Sequence, residues 1–279
     1  MNKINNQEEV IDLLVQTYST ERSDNRANLI LSKRYLHYSF IVYDIYARKG
    51  LLHSIEKNEY ISHSSCGIKD KSVFEYFYKR FRDEGLTRPY YMDIKDGKLC
   101  TYCVYKEAEQ ADHYLPQSIY PSYSLILNNM IPICGTCNNI KRTQVPLDEE
   151  WFFHPYFDFI EEQYLDVDID FIGGAFIKFS VPVYQGKSDL VKRYLSKLDY
   201  SLKKLNLYKK FSSLADSELK EILRIVNALK SKNDDSHITY LKTKLDITIE
   251  EGMLWKISLY REVYRKRNFL TNGYRYNNR

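Results

Sequence analysis

Residues 100–142 read CTYCVYKEAEQADHYLPQSIYPSYSLILNNMIPICGTCNNIKR, and this stretch decides the fold. Two Cys-x-x-Cys pairs, Cys100/Cys103 and Cys134/Cys137, stand thirty residues apart. Each pair brings two sulfurs to one point, and two pairs supply the four-thiolate tetrahedral shell of a structural zinc ion. Gly135 sits inside the second pair, where a backbone that folds two side chains onto one ion gains from a residue tolerant of unusual dihedrals. The gap is longer than in the shortest zinc ribbons, so the insert must itself be folded, and a function can be built there. Redox pairs or plain buried thiols are the competing reading of these cysteines. Cys66 stands apart and reads as a small buried side chain.

The insert carries Asp112-His113 and then Asn129, and Asn138, Lys141 and Arg142 follow the second pair. In this order and spacing the residues resemble the HNH endonucleases, and the resemblance covers residues 100–142. It implies a small ββα-metal core with structural zinc, inside a chain whose fold class is α+β. It also implies that a backbone carbonyl pins the ring of His113, and that the Asn129 amide braces the loop between the two strands. Asn128 and Asn139 neighbour these positions, so a shift of one residue stays open for either asparagine. The final position in the family is often histidine, and asparagine is also found there, which leaves metal preference open.

The residue types suit the chemistry. Phosphodiester hydrolysis needs a deprotonated water, charge compensation on the phosphate and stabilisation of the departing oxygen. A neutral His113 takes the proton. Asp112 points to the other side of an extended chain, where it can bind a divalent ion without crowding His113. Asn138 is the expected second ligand, and hard oxygen donors favour Mg²⁺ or Mn²⁺. Lys141 and Arg142 are candidate phosphate contacts on a short helix that Pro146 would keep from extending, with simple solvation as the alternative. His154, set among aromatic residues, reads as structural.

Outward from this centre the chain looks helical. Val10, Leu13, Leu14 and Tyr18 share a helix face, a second helix is expected over 32–49, and a third starts at Ser72 with a capping box to Glu75. Alternation of apolar and acidic residues over 164–171, then Gly173-Gly174 introducing the segment 175–183, predicts a two-stranded hairpin. Leu190, Tyr194, Leu195, Leu198, Leu202 and Leu205 predict a helix, followed by others over 217–230 and 238–267. The expected organisation is a helical region over 1–90, the nuclease core over 91–158, a hairpin flank over 159–187, and a helical region with a basic tail over 188–279.

Net charge is only +4, from 41 Lys and Arg against 37 Asp and Glu, so a polyanionic partner must be argued from distribution. Basic residues concentrate near the C-terminus, where Arg265, Lys266 and Arg267 are candidate nucleic-acid contacts interleaved with tyrosines. No secretory leader or long apolar run is seen, which predicts a cytoplasmic protein with no membrane partner. The function expected is metal-dependent cleavage of phosphodiester bonds, with DNA as first choice on family grounds. An RNA (tRNA) nuclease toxin and a non-catalytic zinc-ribbon scaffold that binds nucleic acid are the alternatives. Similar HNH proteins serve bacterial anti-phage defence, so the helical flanks are candidate docking surfaces for a regulatory ATPase or another defence-system protein.

Overall fold

The computed structural model describes residues 7–21, 26–57, 71–83, 85–147, 150–158, 164–170, 176–182, 186, 188–230 and 236–267. The chain is α+β, with helices predominating and two small antiparallel sheets among these residues. It divides into two compact units: residues 1–159 with 188–201, and residues 160–187 with 202–279. The expected regions 1–90 and 91–158 thus share one unit, and the expected 188–279 region is divided after Ser201.

In the first unit, α1 (Gln7–Glu21), α2 (Arg26–Arg48), α3 (Lys71–Asp83) and α4 (Arg88–Lys95) precede the cysteine-rich stretch. Helix α2 starts six residues earlier than periodicity predicts. Helix α3 buries Phe74, Phe77, Tyr78 and Phe81, the i, i+3, i+4, i+7 stripe that drives an amphipathic helix onto a core. The capping box expected at Ser72 falls on a side chain outside the described set, as does Cys66. Val10, Ile11 and Leu14 of α1 join α3 in one cluster that also holds Ala111, Leu125, Leu127 and Met130. The helices therefore enclose the segment whose chemistry the sequence singles out.

Strands β1 (Gln110–His113) and β2 (Met130–Ile133) pair antiparallel, with Asp112 opposite Ile131 and His113 opposite Met130. The seven-residue helix α5 (Gly135–Lys141) follows β2 directly. It ends at Arg142, whose φ of 48° turns the backbone out of the helix. Pro146, expected to limit this helix, lies beyond the point where it has already stopped.

In the second unit, β3 (Asp166–Asp170) and β4 (Phe176–Ser180) form the expected hairpin. Both strands alternate exposed and buried residues, with Val167, Ile169, Ile177 and Phe179 inward, as one covered face requires. Helix α6 (Asp189–Lys204) runs through the boundary between the units. Helix α7 (Leu207–Lys230) begins ten residues before the predicted start, and its Phe211 packs on Phe179 with ring centroids 5.9 Å apart. The long helix expected over 238–267 is two helices, α8 (Ser236–Glu251) and α9 (Leu254–Arg265). Gly252, at φ 69°, separates them, a conformation open to glycine and strained for other residues. No helix among the described residues is long and apolar enough to cross a membrane.

Candidate metal centre and active site

The four thiols converge. Cys100, Cys103, Cys134 and Cys137 are all buried, and their sulfurs lie within 4.8 Å of one another. The Sγ atoms of Cys103 and Cys134 are 3.9 Å apart, against about 3.8 Å for sulfurs on a tetrahedron with metal–sulfur bonds of about 2.3 Å. The first pair rides on a tight turn in which the Cys100 N–H donates to Lys106 O and the Val104 N–H to Cys100 O. Val104 closes this turn at φ 52°. The second pair straddles the start of α5, with Cys134 extended and its carbonyl accepting from the Asn138 N–H. Hydrogen bonds from the Cys100 and Cys137 thiols favour the Cys103 thiolate and lower its pKa, and the Cys137 thiol is raised in exchange. The cluster could hold a metal such as zinc.

Gly135 serves this centre differently from the expectation. Its backbone is helical, but a Cβ there would lie 2.9 Å from Oε2 of Glu109. Close approach of a side chain is the constraint at this position.

Thirteen residues beyond Cys100, His113 ends β1 and is buried. Its Nε2 lies 2.8 Å from the carbonyl oxygen of Ser124. A carbonyl can only accept, so Nε2 carries the hydrogen and the neutral ring keeps the Nδ1 lone pair. Nδ1 has no hydrogen-bond partner among the described residues. Burial lowers the pKa of His113, opposed by the charge of Asp112 and the bond to Ser124. The ring packs against Tyr78 of α3, with centroids 4.6 Å apart.

The loop that carries Ser124 is braced from two sides. Asn129 is fully buried; its Oδ1 accepts from the Leu115 N–H at 2.7 Å, and its Nδ2 donates to Leu115 O at 3.3 Å and Tyr123 O at 3.0 Å. These bonds tie Asn129 to the segment after β1 and to Tyr123, whereas Asn128 offers its carbonyl to the Tyr43 hydroxyl. From the first turn of α1, the Gln7 amide donates to Leu125 O and accepts from the Leu127 N–H. Nothing in the local sequence ties a glutamine near the N-terminus to this loop.

Asp112 is partly exposed, and its Oδ2 lies 2.6 Å from Nζ of Lys141. Lys141 was expected to face phosphates; the fold corrects this. Its side chain is fully buried, and Nζ also donates to the His113 carbonyl at 2.7 Å. Asn138 is half-buried and stands three residues before Lys141 on α5, hence on the same helix face. Asn139 falls off that face and is exposed. Arg142 is exposed, with its Nε donating to Asn139 O.

His154 is structural, as its aromatic surroundings suggested. Its Nδ1 accepts from the Tyr156 N–H, so Nε2 donates to the Tyr43 hydroxyl at 2.9 Å, and its ring lies 4.1 Å from that of Tyr114. The Asp158 carboxylate caps the His154 N–H and is paired with the buried Lys197 amine at 3.2 Å. Sequence periodicity had placed Lys197 simply within a helix.

The C-terminal basic candidates each have a local partner within the second unit. Arg265 pairs with Glu262, Lys266 bonds Asp168 and the Ile169 carbonyl, and Arg267 lies 4.5 Å over the Tyr264 ring. Arg265 keeps most of its side chain exposed, whereas Lys266 and Arg267 are partly buried. Arg275 and Arg279 lie outside the described residues.

No protein-family model matches the chain, and no solved structure matches it. Over 132 residues it is 30% identical to Protein ea31 of Escherichia phage lambda, covering 44% of this chain and 43% of that protein. The chain thus spans less than half the length of this relative.

Proposed function

We propose that the chain is a metal-dependent endonuclease of the HNH type, with DNA as its first-choice substrate. The observation that carries this reading is the His113–Ser124 hydrogen bond, because it leaves a neutral imidazole with a free acceptor nitrogen next to an accessible carboxylate. Such a ring can accept the proton of an attacking water, a contribution of roughly 10²–10⁴-fold to rate. Tyr78 and the buried loop exclude bulk water from one side of it, and Asn129 keeps the Ser124 carbonyl in place.

Zinc in the four-sulfur site would hold the start of α5 against the turn before β1, which fixes Asn138 relative to Asp112. Asp112 and Asn138 are the oxygen donors that would hold Mg²⁺ or Mn²⁺. Oδ1 of Asp112, which has no hydrogen-bond partner among the described residues, and the half-buried amide of Asn138 are donor types suited to a hard cation. When bound, that ion supplies positive charge to the departing oxygen. One observation favours a second reading: the Lys141 ammonium already lies on Asp112, as it would in a zinc-ribbon scaffold that no longer cuts.

The decisive experiment incubates purified chain with supercoiled DNA and with total tRNA, in Mg²⁺ and in Mn²⁺, beside His113→Ala. Metal-dependent cutting that leaves 5′-phosphate ends and is lost in the variant supports the nuclease and identifies its polymer. Binding without cutting of either polymer would favour the scaffold.

A further inference from the structure

The environment of Lys141 constrains how a cation can reach Asp112. Both acceptors of its amine belong to β1: the Asp112 carboxylate at 2.6 Å and the His113 carbonyl at 2.7 Å. The side chain is wholly buried, so water does not screen this charge as it would on the surface. Asp112 contributes −1, Lys141 contributes +1 and Asn138 is neutral, so these three groups together offer a dication no net negative charge. Oδ1 of Asp112 has no hydrogen-bond partner among the described residues, so a donor atom remains although the charge is cancelled.

We infer that Lys141 is a resident cation that makes ion capture at Asp112 conditional on an anionic phosphodiester. In the free protein, Lys141 opposes a divalent ion by direct repulsion at short range. A phosphodiester beside Asp112 adds the missing negative charge, and ion and phosphodiester then bind together, each tightening the other by the same factor. Lys141 is a positioning residue in this scheme: it holds the carboxylate rotamer and the backbone of His113, and it sets the order of assembly. The inference rests on the endonuclease reading for the identity of the anion, while its charge argument concerns Asp112, Asn138 and Lys141 alone.

Mn²⁺ binding to the zinc-loaded full chain, followed by the electron paramagnetic resonance signal of free Mn²⁺, tests it without turnover. Saturating dimethyl phosphate, the smallest phosphodiester probe, should tighten Mn²⁺ binding to the wild type by about tenfold or more, a factor equivalent to ~1.4 kcal/mol. Lys141→Met should tighten Mn²⁺ binding by a similar factor with no phosphodiester present, and Asp112→Asn should remove both effects. Should Lys141→Met fail to fold, the wild type with and without dimethyl phosphate, set against Asp112→Asn, still decides. Equal Mn²⁺ affinity in the wild type with and without dimethyl phosphate overturns the inference, as does unchanged or weaker binding in folded Lys141→Met. Failure of the nuclease reading is seen separately, as absence of DNA or tRNA cleavage by a wild type whose Mn²⁺ titrations follow this pattern.

Discussion

The Nε2 of His113 donates to the carbonyl oxygen of Ser124 across 2.8 Å, eleven residues along the chain. A backbone carbonyl cannot ionise or be removed by a side-chain substitution, so the tautomer of His113 depends on the path of the loop and not on a titrating partner. The loop is held by Asn129 on one side and by Gln7 on the other, so a ring at a strand end depends on a helix more than a hundred residues earlier.

His113→Ala should lower cleavage by roughly 10²–10⁴-fold while leaving the far-ultraviolet circular dichroism spectrum and zinc content unchanged. Burial lowers the pKa of this ring, and the neutral form is the base. Cleavage should therefore persist into mildly acidic solution and fall off only below the usual histidine range. The unfolded chain protonates at higher pH than the folded one, so this group's contribution to stability is complete above the ordinary histidine value and is lost as pH falls through it. A cleavage limb displaced to the alkaline side of that value would sink the assignment.

Asn129→Ala removes three hydrogen bonds and leaves the buried Leu115 N–H unpaired. The cost should be about 2–4 kcal/mol in urea unfolding. Cleavage should fall as well, because the carbonyl of Ser124 loses its support. A stability change within about 0.5 kcal/mol, the range of ordinary surface substitutions, would argue that Asn129 is only a turn residue.

The thiol cluster should retain a single zinc ion per chain through gel filtration, and Cys134→Ser should lose it. Metal analysis against protein concentration gives the stoichiometry. Chelation should also lower the melting temperature substantially, since the apo site leaves four buried thiols with no ion to share. Metal-free protein of unchanged melting temperature would contradict a structural role for the site.

Lys197→Met strips the amine from the buried Asp158 carboxylate, 3.2 Å away. Breaking one half of such a pair typically costs about 3–5 kcal/mol. Burial raises the pKa of Asp158 above the usual carboxylate value. The folded state therefore holds the proton more tightly, and stability from this group is present at low pH and lost as pH rises through the folded pKa. The deficit of the variant should accordingly be larger at neutral than at acid pH in parallel denaturation curves, and an equal deficit at both would count against the charge argument.

Gly135→Ala separates packing from backbone strain. The new Cβ meets the far end of Glu109, which can swing aside, and alanine is the better helix former. The thermal midpoint should move by no more than a few degrees. A collapse of zinc retention would show that Glu109 cannot yield.

What the linear sequence determined is what depends on near neighbours and on periodicity. Two Cys-x-x-Cys pairs can converge only by folding the insert between them, and Cys100, Cys103, Cys134 and Cys137 do converge. The hairpin was legible because alternation at Val167, Ile169, Ile177 and Phe179 has a period of two. The α3 stripe was legible because its spacing admits one helix face. Helix ends were less so: the break at Gly252 and the turn at Arg142 depend on a positive φ at one residue, which apolar periodicity does not encode.

Tertiary structure alone decided which charges face water. Lys141 and Arg142 are adjacent and equally basic in sequence, yet the helix turns one into Asp112 and leaves the other exposed. Arg265, Lys266 and Arg267 read alike in sequence, yet folding sets Glu262, Asp168 and the Tyr264 ring against them and leaves Arg265 the most exposed of the three. The physical reason is range: a side chain's local propensity is set within a turn or two, but its charge is satisfied by whatever the fold delivers to it from anywhere in the chain.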